Sequence, residues 1–221
     1  MVGLSAMTGD LGTLRNDYGN KGLSEKEIPS GPFVLLEQWL EQALRSRVYE
    51  PTAMVLSTHG ISGFPESRVV LLKGVEKGEL LFFTNYRSAK GIQIERNNHV
   101  SLLFFWPELH RQIRVAGIAA IITPGKSDKY FSSRPFENRI GAWASDQSKR
   151  VRDRNELETA FKEMHQKYSG KEADIPRPPH WGGYSVKPVK FEFWQGRSGR
   201  LHDRIIYEAS GKQWEIYRLS P

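Results

Sequence analysis

The sequence predicts an α+β fold that is mainly β: an antiparallel barrel with helices on its outside. Two observations lead there. From Thr52 the apolar pattern changes from a helical to a strand-like period. About eight short runs rich in β-branched and aromatic residues then follow, separated by turn clusters, with few helices among them. Strands and helices interleave without a clean boundary. The expectation is one domain over residues 31–221 behind a flexible, turn-rich N-terminal arm, residues 1–30, with Gly9, Gly12, Gly19, Gly22 and Pro29.

Ser30 and Pro32 open a helix with Phe33, Leu36, Leu40 and Leu44 at amphipathic spacing, and Pro51 closes that segment. Strands are predicted at Ala53–Thr58, Ser67–Lys73, Leu80–Thr84, Val100–Trp106 and Gln112–Ile122, with a short helix at Ala89–Asn97. Thr123 and Pro124 begin a helix through Ser132. Asp153 and Glu156 form a capping box before a stripe of Leu157, Phe161, Met164 and Tyr168, which reads as core contact and ends at Gly170. Residues 171–183 read as a Pro/Gly-rich connection, followed by strands at Val189–Gln195, Arg204–Glu208 and Trp214–Leu219.

Composition narrows the function. The chain has 221 residues, 38% hydrophobic and 26% charged, enough for a real core and too apolar for general disorder. Its longest apolar runs, such as Leu102–Trp106, fall far short of the roughly 18 residues of a membrane helix. Residues 1–10 lack the basic and apolar regions of a secretory leader. With no cysteine there is no disulfide, thiolate nucleophile or cysteine metal site, so a soluble cytoplasmic protein is expected. Lys and Arg exceed Asp and Glu by 32 to 25, a net charge of +7 that suits anionic ligands where the cations gather near loops.

Several motifs fail on spacing. Gly125-Lys126-Ser127 ends like a phosphate loop, but Ala120 stands where its first glycine belongs. The six histidines include no pair at helical ligand spacing, so no metal is expected. Neither G-x-S-x-G nor G-x-G-x-x-G after a strand is present. What survives is basic and polar. Arg68 and Lys73 bracket one strand and face opposite sides by parity. The loop Asn85–Lys90 enters a helix with Ser88 and Lys90, which suits a phosphate. Tyr130, Arg134 and Asn138 recur every four residues, with Pro135 interrupting a regular helix. Gln147 and Ser148 precede a basic run that reads as a solvated face. Arg200-Leu201-His202-Asp203-Arg204 places two arginines, a histidine and an aspartate just after a strand, more than one ion pair requires.

With RVVLLK (68–73), SRPFENRIGAW (133–143), WGG (181–183), EFWQGRSGRLHDR (192–204) and RLSP (218–221) in this order, the chain resembles the pyridoxine/pyridoxamine 5′-phosphate oxidase family from about Arg15 to its end. That resemblance implies a homodimeric FMN-binding split barrel with peripheral helices. It would use O2 to oxidise pyridoxine or pyridoxamine 5′-phosphate to pyridoxal 5′-phosphate with release of H2O2, in vitamin B6 salvage, without nucleic acid or membrane. It assigns FMN to Arg68, Val69, Val70, Leu71, Leu72, Lys73, Phe83, Thr84, Ser88, Ala89 and Lys90, completed by Gln112, Gln147, Ser148, Trp194 and Arg204, partly from the second subunit. It assigns the substrate to Lys73, Tyr130, Arg134, Asn138, Arg200, Leu201 and His202, under an arm carrying Arg15 and Tyr18. Arg200 and His202 take the catalytic positions, with His202 a candidate proton acceptor.

Two phosphates in one cleft need several cations, which this set supplies. Three positions depart from the family: Ala89 where relatives commonly have arginine, Asn138 for a common serine, and Glu50 for a usual aspartate. The rival readings are a split-barrel flavin, deazaflavin or haem binder with another substrate, and a basic nucleic-acid module. Retention of Arg134, Arg200 and His202 together argues against the first, and the absence of basic–aromatic interleaving on one element argues against the second.

Overall fold

The computed structural model describes Tyr18 and residues 22–221; Arg15 and most of the predicted arm lie outside the described residues. Residues 22–30 form turns, with Leu23 and Ile28 packed on the barrel core and the Tyr207 hydroxyl donating to Pro29 O at 2.7 Å.

Helix α1 (Pro32–Arg45) starts with proline in its first turn, where a missing N–H costs nothing. Its N-cap is Gly31 rather than Ser30. It buries Leu35, Leu36, Trp39 and Ala43, so the face is rotated from the predicted stripe, and Leu44 is 60% exposed. The rotation follows Trp39, which packs edge-on against Phe193 at 5.3 Å and beneath the Arg111 guanidinium at 4.3 Å.

The strands are β1 (Ala53–His59), β2 (Pro65–Leu71), β3 (Gly74–Glu76), β4 (Glu79–Asn85), β5 (His99–Trp106), β6 (Arg111–Ile121), β7 (Trp181–Gln195), β8 (Asp203–Ser210) and β9 (Gln213–Arg218). All the pairings are antiparallel. The order is β2-β1-β5-β6-β7-β4-β3, and β8-β9 extend from β7. One edge of β7 therefore carries β4 along its first half and β8 along its second. β5 and β6 alternate buried and open residues, as a half-buried strand must, and Leu56, Leu102, Phe104, Ile113, Val115, Phe191 and Phe193 fill the interior. This is the expected split barrel.

β7 begins at Trp181, inside the predicted connection. Residues 181–186 are all buried, between the barrel core and a second cluster of Phe131, Ile140, Ile175 and Trp181, so they lack the alternation of an exposed strand. Val189 bulges where the register with β6 shifts at Gly117. β2 stops at Leu71, so Lys73 lies beyond the strand and its parity with Arg68 is lost.

The helices around the barrel are α2 (Ala89–Arg96), α3 (Pro124–Ser132), α4 (Phe136–Ala144) and α5 (Arg154–Tyr168). Pro135 separates α3 from α4, and the second was not foreseen. Asp153 caps α5 as expected, accepting from the Glu156 N–H at 3.0 Å. Phe161, Met164 and Tyr168 reach the second cluster, while Leu157 stays largely exposed. No helix among the described residues is long and apolar enough to cross a membrane.

Candidate active site

A cleft of about 490 Å³ opens where β2, β4 and the start of α2 meet α3 and α4. Val69, Val70, Leu71, Lys73, Phe83, Thr84, Lys90, Tyr130, Arg134, Asn138 and Gln147 line it, so eleven residues expected to bind ligand share one cavity. Pro135 puts Tyr130 on α3, Arg134 in the break and Asn138 on α4, yet all three face the cleft. Among its described lining residues, Lys73, Lys90 and Arg134 stand against one carboxylate, Glu137.

Lys90 is 9% exposed, and its Nζ donates to Thr84 Oγ1 and Ser88 Oγ, both at 3.2 Å, and to Gln147 Oε1 at 3.1 Å. Burial, and then the Arg68 charge, lower its pKa to about 8. Ser88 caps α2 through the Gly91 N–H. A Cβ at Gly91 would stand 2.0 Å from Tyr86 O, so glycine is what lets this helix start so close to the preceding turn. Arg68 donates to Thr58 Oγ1, to Gln93 Oε1 at 3.0 Å and to Glu66 at 3.3 Å, and burial lowers its pKa. Arg68, Ser88, Ala89 and Ser148 stand behind or beside the cleft and are not among its lining residues, and Leu72 is buried in the barrel core. Ala89 opens α2 beside Lys90, and Ser148 follows Gln147 in left-handed backbone, φ 71°.

Arg134 is held over Trp181, 4.6 Å from the ring centre. Its Nη1 is buried with no hydrogen-bond partner among the described residues, and burial lowers its pKa. Phe83 and Tyr130 stack at 3.9 Å, with Trp181 parallel beside the pair, 5.5 Å from Phe83 and 6.2 Å from Tyr130. Trp181 is a site residue that sequence reasoning missed. Its only signal was the WGG element, taken as the end of a loop.

A second group lies elsewhere. Gln112, Trp194 and Arg204 pair in register across β6, β7 and β8, forming one row on one face of the sheet. Arg204 is tied to Glu192 at 2.9 Å and to Ser220 O at 2.9 Å. Beside the row, His202 lies 4.7 Å from the Trp194 ring. Tyr18 packs edge-on against His110, His202 and Trp194 at 5.0, 5.2 and 6.0 Å. A Cβ at Gly196 would come 2.7 Å from Tyr18 Cδ1, so glycine makes room for this ring. Arg200 sits in left-handed backbone, φ 59°, and Leu201 is 73% exposed. No described hydrogen bond, ion pair or ring contact joins this group to the cleft: β4, which lines the cleft with Phe83, meets β7 at Gly183, and Trp194 lies about 36 Å further along that strand.

The cleft suits phosphate: a buried ammonium held only by neutral oxygens, a guanidinium with an unused N–H, and a capped helix start. The donor set does not suit a metal, and no group of three or more His, Asp or Glu able to hold one occurs among the described residues. An antiparallel barrel with a cationic, aromatic-walled cleft defines a class of protein suited to phosphorylated aromatic ligands.

Comparison with known proteins carries this further. Residues 40–168 match the family model of pyridoxamine 5′-phosphate oxidase, and residues 181–221 match that of the pyridoxine 5′-phosphate oxidase C-terminal dimerisation region. The chain is 47% identical to a pyridoxine/pyridoxamine 5′-phosphate oxidase of Cytophaga hutchinsonii over 97% of its length and all of the relative's. It is 49% identical to one of Mannheimia succiniciproducens over 96% and 99%. Among solved structures, PhzG from Burkholderia lata 383 in complex with tetrahydrophenazine-1-carboxylic acid superposes with a TM-score of 0.85 at 32% identity, over 92% of this chain and 100% of that one. The chain belongs to the pyridoxine/pyridoxamine 5′-phosphate oxidase family.

Proposed function

We propose that this protein is an FMN-dependent oxidase that converts pyridoxine 5′-phosphate and pyridoxamine 5′-phosphate to pyridoxal 5′-phosphate. The observation that carries the reading is the cleft in which Lys90 and Arg134 present cationic donors without carboxylate partners, on a chain whose curated relatives bear that enzyme name along their whole length. FMN, when bound, takes a hydride equivalent from the substrate carbon and passes the electrons to O2, giving H2O2.

Lys90, Arg68, Ser88 and the start of α2 hold the flavin phosphate, and Thr84 and Gln147 orient the Lys90 amine. Arg134, Tyr130, Lys73 and Asn138 hold the substrate phosphate. The apolar wall of Phe83, Tyr130 and Trp181 excludes water from the rings and fixes the Arg134 guanidinium by stacking. Gln112, Trp194, Arg200, His202 and Arg204 close the site from a second copy of the chain. Val69 and Phe105, 63% and 59% exposed, give the outer barrel face the apolar surface such a copy would cover.

The test is an anaerobic absorbance scan of the FMN-loaded protein before and after pyridoxine 5′-phosphate. Bleaching of the flavin bands, reversed by air, is the expected result. A flavin that stays bound and unbleached by either phosphate would mean that the barrel serves another substrate.

A further inference from the structure

The turn between β7 and β8 engages one nitrogen of His202 and leaves the other free of it. The backbone N–H of Arg197 donates to Nδ1 of His202 at 3.1 Å. A nitrogen that accepts a hydrogen bond presents its lone pair, so a neutral imidazole held this way carries its proton on Nε2. The turn that folds back to make this contact runs through two left-handed residues in succession, Gly199 at φ 64° and Arg200 at φ 59°. Left-handed backbone at a residue with a side chain persists where the surroundings impose it, and it is concentrated at functional sites.

The ring has no second way to settle. Trp194 packs against it at 4.7 Å and Tyr18 meets it edge-on at 5.2 Å. The neighbouring carboxylate, Asp203, is occupied by Arg218, by Arg197 Nη1 and by the Leu23 N–H, and makes no described hydrogen bond to the imidazole. Burial, and then the Arg200 charge, lower the His202 pKa, with Asp203 opposing them, which favours the neutral ring that the geometry describes.

We propose that His202 acts on the substrate as a neutral hydrogen-bond donor through Nε2, not as the base that takes the substrate's proton, and that the backbone N–H of Arg197 fixes this tautomer. The donor role rests on the function proposed above, in which the substrate offers hydroxyl and phosphate oxygens as acceptors. Oxidation would move a hydride from the substrate carbon to bound FMN, and the hydroxyl or amine proton would pass to solvent rather than to His202. This revises the expectation of His202 as proton acceptor.

Two measurements test the proposal. In holoenzyme labelled with 15N-histidine, nitrogen–carbon-bound-proton correlation should give His202 an unprotonated, pyridine-type Nδ1 and a protonated, pyrrole-type Nε2 at pH 7.5, the signal being assigned by its loss in His202→Gln. The reverse pattern overturns the proposal. In anaerobic bleaching by pyridoxine 5′-phosphate, His202→Gln, whose amide can donate but cannot take a proton, should stay within about tenfold of wild type, while His202→Ala falls about a hundredfold. Equal losses in the two variants overturn the donor role. A wild-type flavin that is not bleached at all would instead defeat the proposed function and leave the tautomer to be decided by the nitrogen shifts.

Discussion

Lys90 is a cation among neutral oxygens, and in the proposed site its ionisation would tie flavin affinity to pH. With a pKa lowered to about 8 in the ligand-free site, the amine is charged below that pH both before and after a phosphate binds, so affinity there is flat. Above it, binding requires proton uptake, and affinity falls by up to about tenfold per pH unit. The dissociation constant of FMN, read by quenching of flavin fluorescence, should hold steady from pH 6.5 to 7.5 and weaken between 8 and 9.5, while that of riboflavin, which lacks the phosphate, should not follow. Parallel curves would remove Lys90 from the phosphate. The neighbouring Ala89 allows a gain-of-function counterpart. It opens α2 beside Lys90, and an arginine there can add a charge-assisted hydrogen bond of about 1.5–3 kcal/mol. Ala89→Arg should therefore tighten FMN about tenfold or more; an unchanged constant would mean the loop turns that side chain away from the phosphate.

Asp203 does at the level of elements what Lys90 does at the level of a ligand. Buried at the start of β8, it takes Arg218 from β9, Arg197 from the β7–β8 turn and the Leu23 N–H from the N-terminal segment, so one carboxylate joins three parts of the chain beside His202. Removing its charge takes a carboxylate from two half-exposed arginines, of which Arg218 keeps Glu25, and costs about 1–3 kcal/mol. Asp203→Asn should lower the urea midpoint with the slope unchanged, and a wild-type midpoint would show that Glu25 alone satisfies Arg218. Asp203 was legible only as one residue of a charged cluster, because its partners lie on other elements. Strands such as β5 and β6 were legible from their β-branched and aromatic content. The first half of β7 was not, since burial on both faces erases the period and Gly182-Gly183 fell within the predicted Pro/Gly-rich connection. α4 was hidden behind Pro135, which ends one helix and leads directly into the next.

At the scale of the whole molecule, the residues proposed to bind ligand divide into a cleft and a separate row, and that division could not be read from the sequence. Local pattern marks Arg134 and His202 as interesting; only the strand order places them on different walls. The match of residues 181–221 to a dimerisation region coincides with the strands that carry the row, β7 and β8. A two-fold dimer would set each chain's row over the other's cleft and build two equal sites from four half-sites. Complementation between two inactive variants tests this. Arg134→Ala damages the cleft and His202→Ala damages the row, so either homodimer has two defective sites. In a mixed dimer one site collects both defects and the other collects neither. Co-refolding the two variants in equal amounts makes half the dimers mixed and should restore about a quarter of wild-type turnover. If each chain built its whole site alone, every site in the mixture would carry one defect, and turnover would stay at the level of the variants.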